Sequence, residues 1–155
     1  KYSSAFINGI FSLKNDKHHE IRTTVNHLTE NTKSYQLIKS VLEESSKAVY
    51  QGKIFVDSDA QKTDGYQLSK AILLHKEAEF NAKPELEIYA DDVKCSHGSA
   101  SGSLNDDSIF YLMSRGLSYH QSRELLINGF LLDVVEKITD PEIKNLIKNM
   151  IGIKE

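Results

Sequence analysis

The 155-residue sequence contains a single cysteine, Cys95. One cysteine excludes a disulfide within the chain, and with no signal peptide in view it indicates a reducing, cytoplasmic compartment. Long apolar runs are also missing: the richest, at residues 125–127 and 130–132, fall well short of the roughly 20 residues that a membrane span needs. We therefore expect a soluble protein that makes no membrane contact.

Neither sign of charge is in large excess. The chain has 19 lysines and arginines against 22 aspartates and glutamates, which gives a formal net charge of −3. There is no basic excess to favour nucleic acid and no acidic run typical of a disordered tail. The sequence also lacks the glycine-rich loop ending in Lys-Ser or Lys-Thr that cradles nucleotide phosphates. We therefore expect no nucleic-acid partner and no nucleotide hydrolysis by this chain.

Residues 1–103 show the short apolar alternation of strands rather than a helical period. Strands are predicted over 2–13, with Asn8-Gly9 as a turn between two short runs, and over 20–28, 35–42, 48–57, 69–77 and 86–95. Their short connections fit antiparallel hairpins or the successive turns of a β-helix. No clean repeat period is visible, so periodicity alone leaves both topologies open. Because the strand pattern begins at once after Lys1, we expect the chain to be a fragment of a longer protein.

After the small residues at 98–103, interpreted as a linker, the pattern becomes helical. Helix N-caps are predicted at Asn105 or Asp106, at Ser118 with Gln121 completing a capping box, and at Asp140 before Pro141. Gly116 is predicted to end the first of these helices. The predicted buried faces are Leu125, Leu126, Phe130, Val134 and Ile138 on the second helix, and Ile143, Leu146, Ile147 and Met150 on the third. The sequence thus predicts a β region at 1–103 and a helical domain at 104–155.

Cys95 and His97 stand two residues apart in an extended segment, so both side chains should project from the same face. Thiolate and neutral imidazole are ligands that thiophilic metals and iron–sulfur intermediates prefer. A closed tetrahedral site needs about four ligands, and the chain has no second cysteine. We therefore expect any metal here to be shared with a partner subunit. The alternative is a small buried cysteine beside a surface histidine.

Five blocks of sequence resemble a known family. They are residues 61–64 (Gln-Lys-Thr-Asp), 73–74 (Leu-Leu), 83–88 (Lys-Pro-Glu-Leu-Glu-Ile), 90–98 (Ala-Asp-Asp-Val-Lys-Cys-Ser-His-Gly) and 110–116 (Phe-Tyr-Leu-Met-Ser-Arg-Gly). In this order they resemble the signature blocks of the SufB/SufD family, and the block at 90–98 is similar to the SufD branch. The resemblance runs from about His27 to Val135.

The resemblance implies a mainly β fold with α: a right-handed parallel β-helix followed by a small C-terminal helical domain. It also implies a non-catalytic scaffold subunit of a SufBCD complex, which assembles iron–sulfur clusters. By the same resemblance His97 matches the position at the cluster interface, and Cys95 is a second candidate donor. The cluster would be transient and shared with the partner, with no cofactor bound permanently by this chain.

The partners follow from the same resemblance. A SufB-like subunit would meet the end of the β-helix, and a SufC-like ATPase would dock on the C-terminal helices. In isolation, a free strand edge at the end of the β region predicts a homodimer, because unpaired backbone groups are a template for a second chain.

Two other classes of function stay open at this point. Asp91, Asp92, Cys95 and His97 can be read as a Cys/His hydrolase, but Cβ atoms about 6 to 7 Å apart along one strand face are too parallel for a nucleophile–base hydrogen bond. The other class is a purely structural interaction module with no metal role. Iron titration separates the three, since only the scaffold needs metal and only the hydrolase needs turnover.

Overall fold

The chain folds as a β-solenoid followed by helices in a computed structural model, which describes residues 1–153. The strands are β1 Ser4–Leu13, β2 His18–His27, β3 Lys33–Leu42, β4 Lys47–Val56, β5 Asp64–Leu73, β6 Glu79–Ile88 and β7 Lys94–Gly102. The helices are α1 Asp106–Ser114, α2 Tyr119–Val135 and α3 Pro141–Met150. Sheet A has the order β1-β3-β5-β7 and sheet B the order β2-β4-β6, with every pair parallel. The predicted β-helix with C-terminal helices is confirmed.

Successive turns of the solenoid stack in register. The register partners in sheet A are Ser4, Lys33, Asp64 and Lys94, and those in sheet B are His18, Lys47 and Glu79. The chain therefore returns to the same place in a sheet about every 30 residues, as expected of a solenoid repeat. The period is hidden in the sequence because equivalent positions hold unlike residues: Ile7, Gln36 and Gln67 occupy one column.

The predicted turn at Asn8-Gly9 is wrong, because both residues lie inside β1. Gly9 is there for space: a Cβ at this position would stand 2.7 Å from the Ile38 side chain of the next turn. The predicted linker at 98–103 is also wrong, since β7 continues to Gly102. A Cβ on Gly98 would meet Leu68 at 3.1 Å, so a small residue again permits close stacking.

Two strand predictions are misplaced. The segment predicted over 86–95 is divided by a turn between β6 and β7, and the segment predicted over 69–77 begins earlier, at Asp64. The turn before β7 has apolar residues of its own, since Ala90 is buried and Val93 packs beside it. These corner residues face the interior and imitate the alternation of a strand, which explains the error.

Polar side chains occupy much of the space between the two sheets, which we term the lumen. Gln36 Oε1 accepts hydrogen bonds from the Thr23 hydroxyl at 2.6 Å and the Tyr50 hydroxyl at 3.1 Å. Gln36 Nε2 donates to Gln67 Oε1 at 3.4 Å, and Gln67 Nε2 donates to the Gly52 carbonyl at 3.2 Å. Gln36 and Gln67 are both buried, so these bonds satisfy amide groups whose burial would otherwise be costly.

A second cluster of polar side chains lies in the lumen at the end of β2. His27 is 3% exposed, with Nδ1 at 2.7 Å from the Thr32 hydroxyl and Nε2 at 2.9 Å from the Ser34 hydroxyl. The Thr32 hydroxyl also lies 3.3 Å from that of Thr63, its counterpart one turn later. Burial lowers the pKa of His27, so the neutral imidazole is the form that the folded lumen accommodates.

The helix boundaries follow the predicted caps. The side chains of Asn105, Ser118 and Asp140 each accept backbone N–H groups in the first turn of their helices. Ser118 and Gln121 make both bonds of the predicted capping box. Gly116 follows α1 with a φ of 97°, the left-handed conformation that favours glycine at this position. These predictions are confirmed.

The predicted buried faces of the helices are partly wrong. On α2 the buried apolar residues are Leu131, Val134 and Val135, whereas Leu125 is 50% exposed. No residue of α3 is buried, and its predicted core residues Ile143, Leu146 and Met150 are 50%, 59% and 77% exposed. The C-terminal half of α2 packs on the outer face of sheet A, where Leu131 and Val41 belong to one buried cluster. Within residues 1–153, no helix has both the length and the apolar content needed to cross a bilayer.

A buried lysine joins the helices to the solenoid. The Lys39 side chain is 7% exposed, and its Nζ lies 2.8 Å from the Phe130 carbonyl oxygen and 2.8 Å from Asp133 Oδ2. It also lies 4.4 Å from the centre of the Phe130 ring. The hydrogen bond from Lys39 lowers the pKa of the Asp133 carboxyl. Strands and helices therefore share interactions across residue 103, and the division into two domains stays a prediction.

Two lumenal serines on β3 should respond differently to substitution. Ser34 is bonded to His27, whereas the buried Ser40 hydroxyl has no hydrogen-bond partner within residues 1–153. We expect Ser34→Ala to lower the free energy of unfolding by about 1 to 2 kcal/mol, because it leaves the buried imidazole nitrogen unpaired. Ser40→Ala should change it by less than about 0.5 kcal/mol or increase it. Urea unfolding measures both, and equal losses would contradict the assignment.

His27 should make the protein acid-sensitive. Its pKa in the folded state is below the ordinary value of 6.5, so the unfolded chain takes up the proton first. The contribution of neutral His27 to the free energy of unfolding is complete above pH 6.5 and is lost as the pH falls through the folded-state pKa. For one proton, the free energy of unfolding falls by at most about 1.4 kcal/mol per pH unit. His27→Gln should flatten this decline in chemical unfolding series between pH 7 and pH 5. The exposed His120→Gln serves as the control, and an equal effect of both substitutions would refute the role of His27.

Candidate functional site

The last strand of sheet A forms one end of the solenoid. β7 pairs with β5 along one edge, and within residues 1–153 no strand pairs with its other edge. The lumen is open at this end: Ser99 and Ser101 are exposed although their register partners Ser69 and Ala71 are buried. A free strand edge and an open lumen make this end a natural contact surface for another chain.

Both candidate residues lie on β7 and face the lumen. Cys95 is the register partner of Gly65, and His97 is that of Gln67. Partner residues of parallel strands in register point to the same side of the sheet. Because Gln67 bonds across the lumen to Gly52, His97 lies over a lumenal residue. Cys95, two positions earlier, has the same orientation, so the two side chains share one face as the sequence predicts.

Cys95 is half-buried in an apolar cluster. It packs against the buried cluster that contains Ile54, as do Leu86 and Val93. Burial raises the pKa of the thiol; a hydrogen bond from the Gly65 backbone opposes this rise, and the Asp64 carboxylate adds to it. Reactive cysteines have a lowered pKa, because the thiolate is the nucleophile. The surroundings of Cys95 therefore disfavour the Cys/His hydrolase.

His97 has the opposite environment. Its side chain is exposed at the open end of the lumen, where solvent or another chain reaches the imidazole. Within the described residues, no group of three or more His, Cys, Asp or Glu side chains is placed to hold a metal ion. His97 and Cys95 are thus at most two donors, and the remaining ligands of a metal or cluster would come from outside these residues.

Sequence reasoning missed the residues beneath His97. Gln36 and Gln67 are polar residues at inward positions of β3 and β5, in the same column as His97. The recurrence of polar residues at positions 36, 67 and 97, about 30 residues apart, is the signal that would have found them, had the solenoid period been recognised. A search for metal-ligand spacings alone does not detect an amide column.

Comparison with known proteins places the chain among iron–sulfur cluster assembly proteins. Residues 1–130 match the family model described as SUF system FeS cluster assembly, SufBD core domain. The iron–sulfur cluster assembly protein SufD of Escherichia coli is 39% identical over 133 residues, which are 86% of this chain and 31% of that protein. The chloroplastic protein ABCI7 of Arabidopsis thaliana is 42% identical over 117 residues, 75% of this chain and 25% of that protein. The chain thus spans less than a third of the length of these curated relatives.

The packing of Cys95 predicts a slow thiol. Because its pKa is raised and its sulfur is half-buried, iodoacetamide at pH 7.5 should alkylate Cys95 several-fold more slowly in the folded protein than in the chain unfolded by guanidinium. Mass spectrometry of timed samples gives both rates on the only cysteine of the sequence. A folded-state rate equal to or above the unfolded rate would show an activated thiol and contradict the packing role.

Proposed function

Because this chain belongs to the SufBD family of iron–sulfur cluster assembly proteins, we propose that it is part of a non-catalytic scaffold subunit of a SufBCD complex. Cluster assembly would take place where the open end of the solenoid meets a SufB-like partner. The observation that carries this proposal is His97, an exposed imidazole facing the lumen on the last strand of sheet A. The cluster is the product that passes through this interface, not a resident cofactor.

The donor count supports a shared interface. An iron–sulfur cluster is held mainly by thiolates, with imidazole as the usual substitute. At the open end of the solenoid this chain offers one exposed imidazole, His97, and one thiol, and burial raises the pKa of that thiol. His97 is therefore the donor proposed from this side, with Cys95 as the second candidate, while the partner supplies the other ligands.

The ATPase contact is proposed for the C-terminal helices. Tyr111 of α1 is more than half exposed and Leu125 of α2 is half exposed. Both line one shallow, mostly apolar groove of about 420 Å³. Phe110, beside it on α1, is 73% exposed. Exposed aromatic residues in a cluster are typical of protein-binding surfaces. A SufC-like subunit docked here would supply the nucleotide hydrolysis for which this chain has no phosphate-binding loop.

The alternative is a purely structural interaction module, and the packed state of Cys95 is the observation that favours it. In that case His97 would lie at the interface without touching the cluster. Homodimerisation of the isolated chain through the free edge of β7 stays a prediction. The cytoplasmic location also stays a prediction, since the relatives include a bacterial and a chloroplastic protein.

Substitution of His97 tests the proposal. In the full-length protein assembled with its SufB-like and SufC-like partners, His97→Ala should strongly lower the yield of iron–sulfur cluster, because the interface loses a ligand. An exposed histidine at a strand edge contributes little to folding, so the free energy of unfolding should change by less than about 1 kcal/mol. Cluster yield is followed by visible absorbance and by iron and sulfide content.

Two comparisons complete the test. His75→Ala, at an exposed turn between β5 and β6, is the matched control and should leave the cluster yield unchanged. Cys95→Ala should lower the yield less than His97→Ala does, and should lower stability through lost packing. Normal yield from His97→Ala in a complex that assembles correctly would favour the structural module.

A further inference from the structure

His97 is the last member of a column of side chains inside the solenoid. The column consists of Ile7, Gln36, Gln67 and His97 in successive turns. Neighbouring strands lie about 4.8 Å apart, so each side chain of a column rests on the one in the next turn. The neighbour directly beneath the His97 imidazole is therefore the side chain of Gln67.

The Gln67 amide is fixed on both of its atoms. Its Nε2 donates to the Gly52 carbonyl at 3.2 Å, and its Oε1 accepts from Gln36 Nε2 at 3.4 Å. Gln36 is itself held by hydroxyl donors, at 2.6 Å from Thr23 and at 3.1 Å from Tyr50. Rotation of the Gln67 amide would break two hydrogen bonds in a buried site, so its orientation is set by the lumen.

A glycine on the opposite sheet makes room for this arrangement. A Cβ on Gly52 would lie 2.5 Å from Gln67 Oε1 and 2.6 Å from the Tyr50 hydroxyl oxygen. Both distances are far below van der Waals contact, so any larger residue at position 52 would displace the two side chains. The place of Gln67 is thus determined by β3, β4 and β5 together.

His97 has no comparable support of its own. It lies on an edge strand, at the open end of the lumen, and its side chain is exposed. The residue two positions before it, Cys95, packs into a separate apolar cluster, and the residue two positions after it, Ser99, is small and exposed. Its register partner in the turn below is Gln67, whose amide is held by hydrogen bonds within the lumen.

We propose that Gln67 is a positioning residue for His97: its fixed amide forms the floor on which the imidazole rests and so sets the orientation presented to a partner chain. In this proposal Gln67 does not itself bind the cluster and acts only through His97. The relevance of this support to cluster assembly rests on the proposed function, whereas the support itself is a property of the folded chain alone.

Histidine NMR tests the support without any cluster. In the full-length protein labelled with ¹³C and ¹⁵N at histidine, the His97 signal is assigned by its loss in His97→Ala. Gln67→Met keeps the side-chain volume but removes the amide, and Gly52→Ala displaces the amide without altering it. Both substitutions should shift the His97 ring resonances by more than their linewidth and increase ring mobility. Should Gln67→Met fail to fold, Gln67→Asn, which withdraws the amide by one methylene, takes its place.

The controls separate positioning from general destabilisation. Ser69→Ala alters the next lumenal residue of β5, whose register partner is Ser99, and should leave His97 unmoved. The signals of the exposed His75 and His120 serve as internal references in every variant. A His97 signal that does not move in folded Gln67 and Gly52 variants overturns the proposal.

The outcome is independent of the proposed function. If Gln67→Met moves the His97 signal while His97→Ala leaves cluster yield unchanged, the support stands and the cluster role fails. If both hold, Gln67→Met should also lower cluster yield in the assembled complex, in the same direction as His97→Ala. A normal yield from Gln67→Met together with a low yield from His97→Ala would limit Gln67 to a structural role and overturn its positioning role in assembly.

Discussion

In-register stacking of parallel turns is the constraint on which the rest of this structure depends. It places each lumenal residue against the equivalent residue of the next turn, so a polar side chain at one level is accommodated by a polar or small side chain at the next. Gln36 can be buried because Gln67 lies above it and Tyr50 opposite. The same stacking delivers His97 to the open end of the column, which links the packing of the interior to the candidate site.

Local chemistry made part of this fold predictable. The caps at Ser118 and Asp140 depend on side chains within a few residues, and they were predicted correctly. The turn before β7 was not, because Ala90 and Val93 face the interior at a corner and continue the alternation of a strand. Gly9 was wrongly predicted to be a turn residue. A glycine is needed there because Ile38, in the next turn of the solenoid, occupies the space of a Cβ. Positions fixed by long-range stacking leave no local signal.

The candidate site was likewise predictable only in part. Cys95 and His97 were found from residue type and spacing, which place two donors on one strand face. Their different environments, one packed and one exposed, depend on where the solenoid ends and were not predictable from the pair itself. The apolar residues of α3 show a related limit: Ile143 and Leu146 have helical spacing, but spacing alone does not show which surface packs on them, and both are at least half exposed.

The buried Lys39 determines how a mechanical load on the helices would travel. Its contacts with Phe130 and Asp133 lie in the C-terminal half of α2, whereas the exposed Leu125 lies nearer the N-terminal end. A force applied at the N-terminal end of α2 is therefore resisted further along the helix, where Lys39 joins it to β3. Because β3 is an inner strand of sheet A with a neighbour on each side, the load is shared in shear by β1 and β5. An edge strand in the same position would instead be peeled away one hydrogen bond at a time.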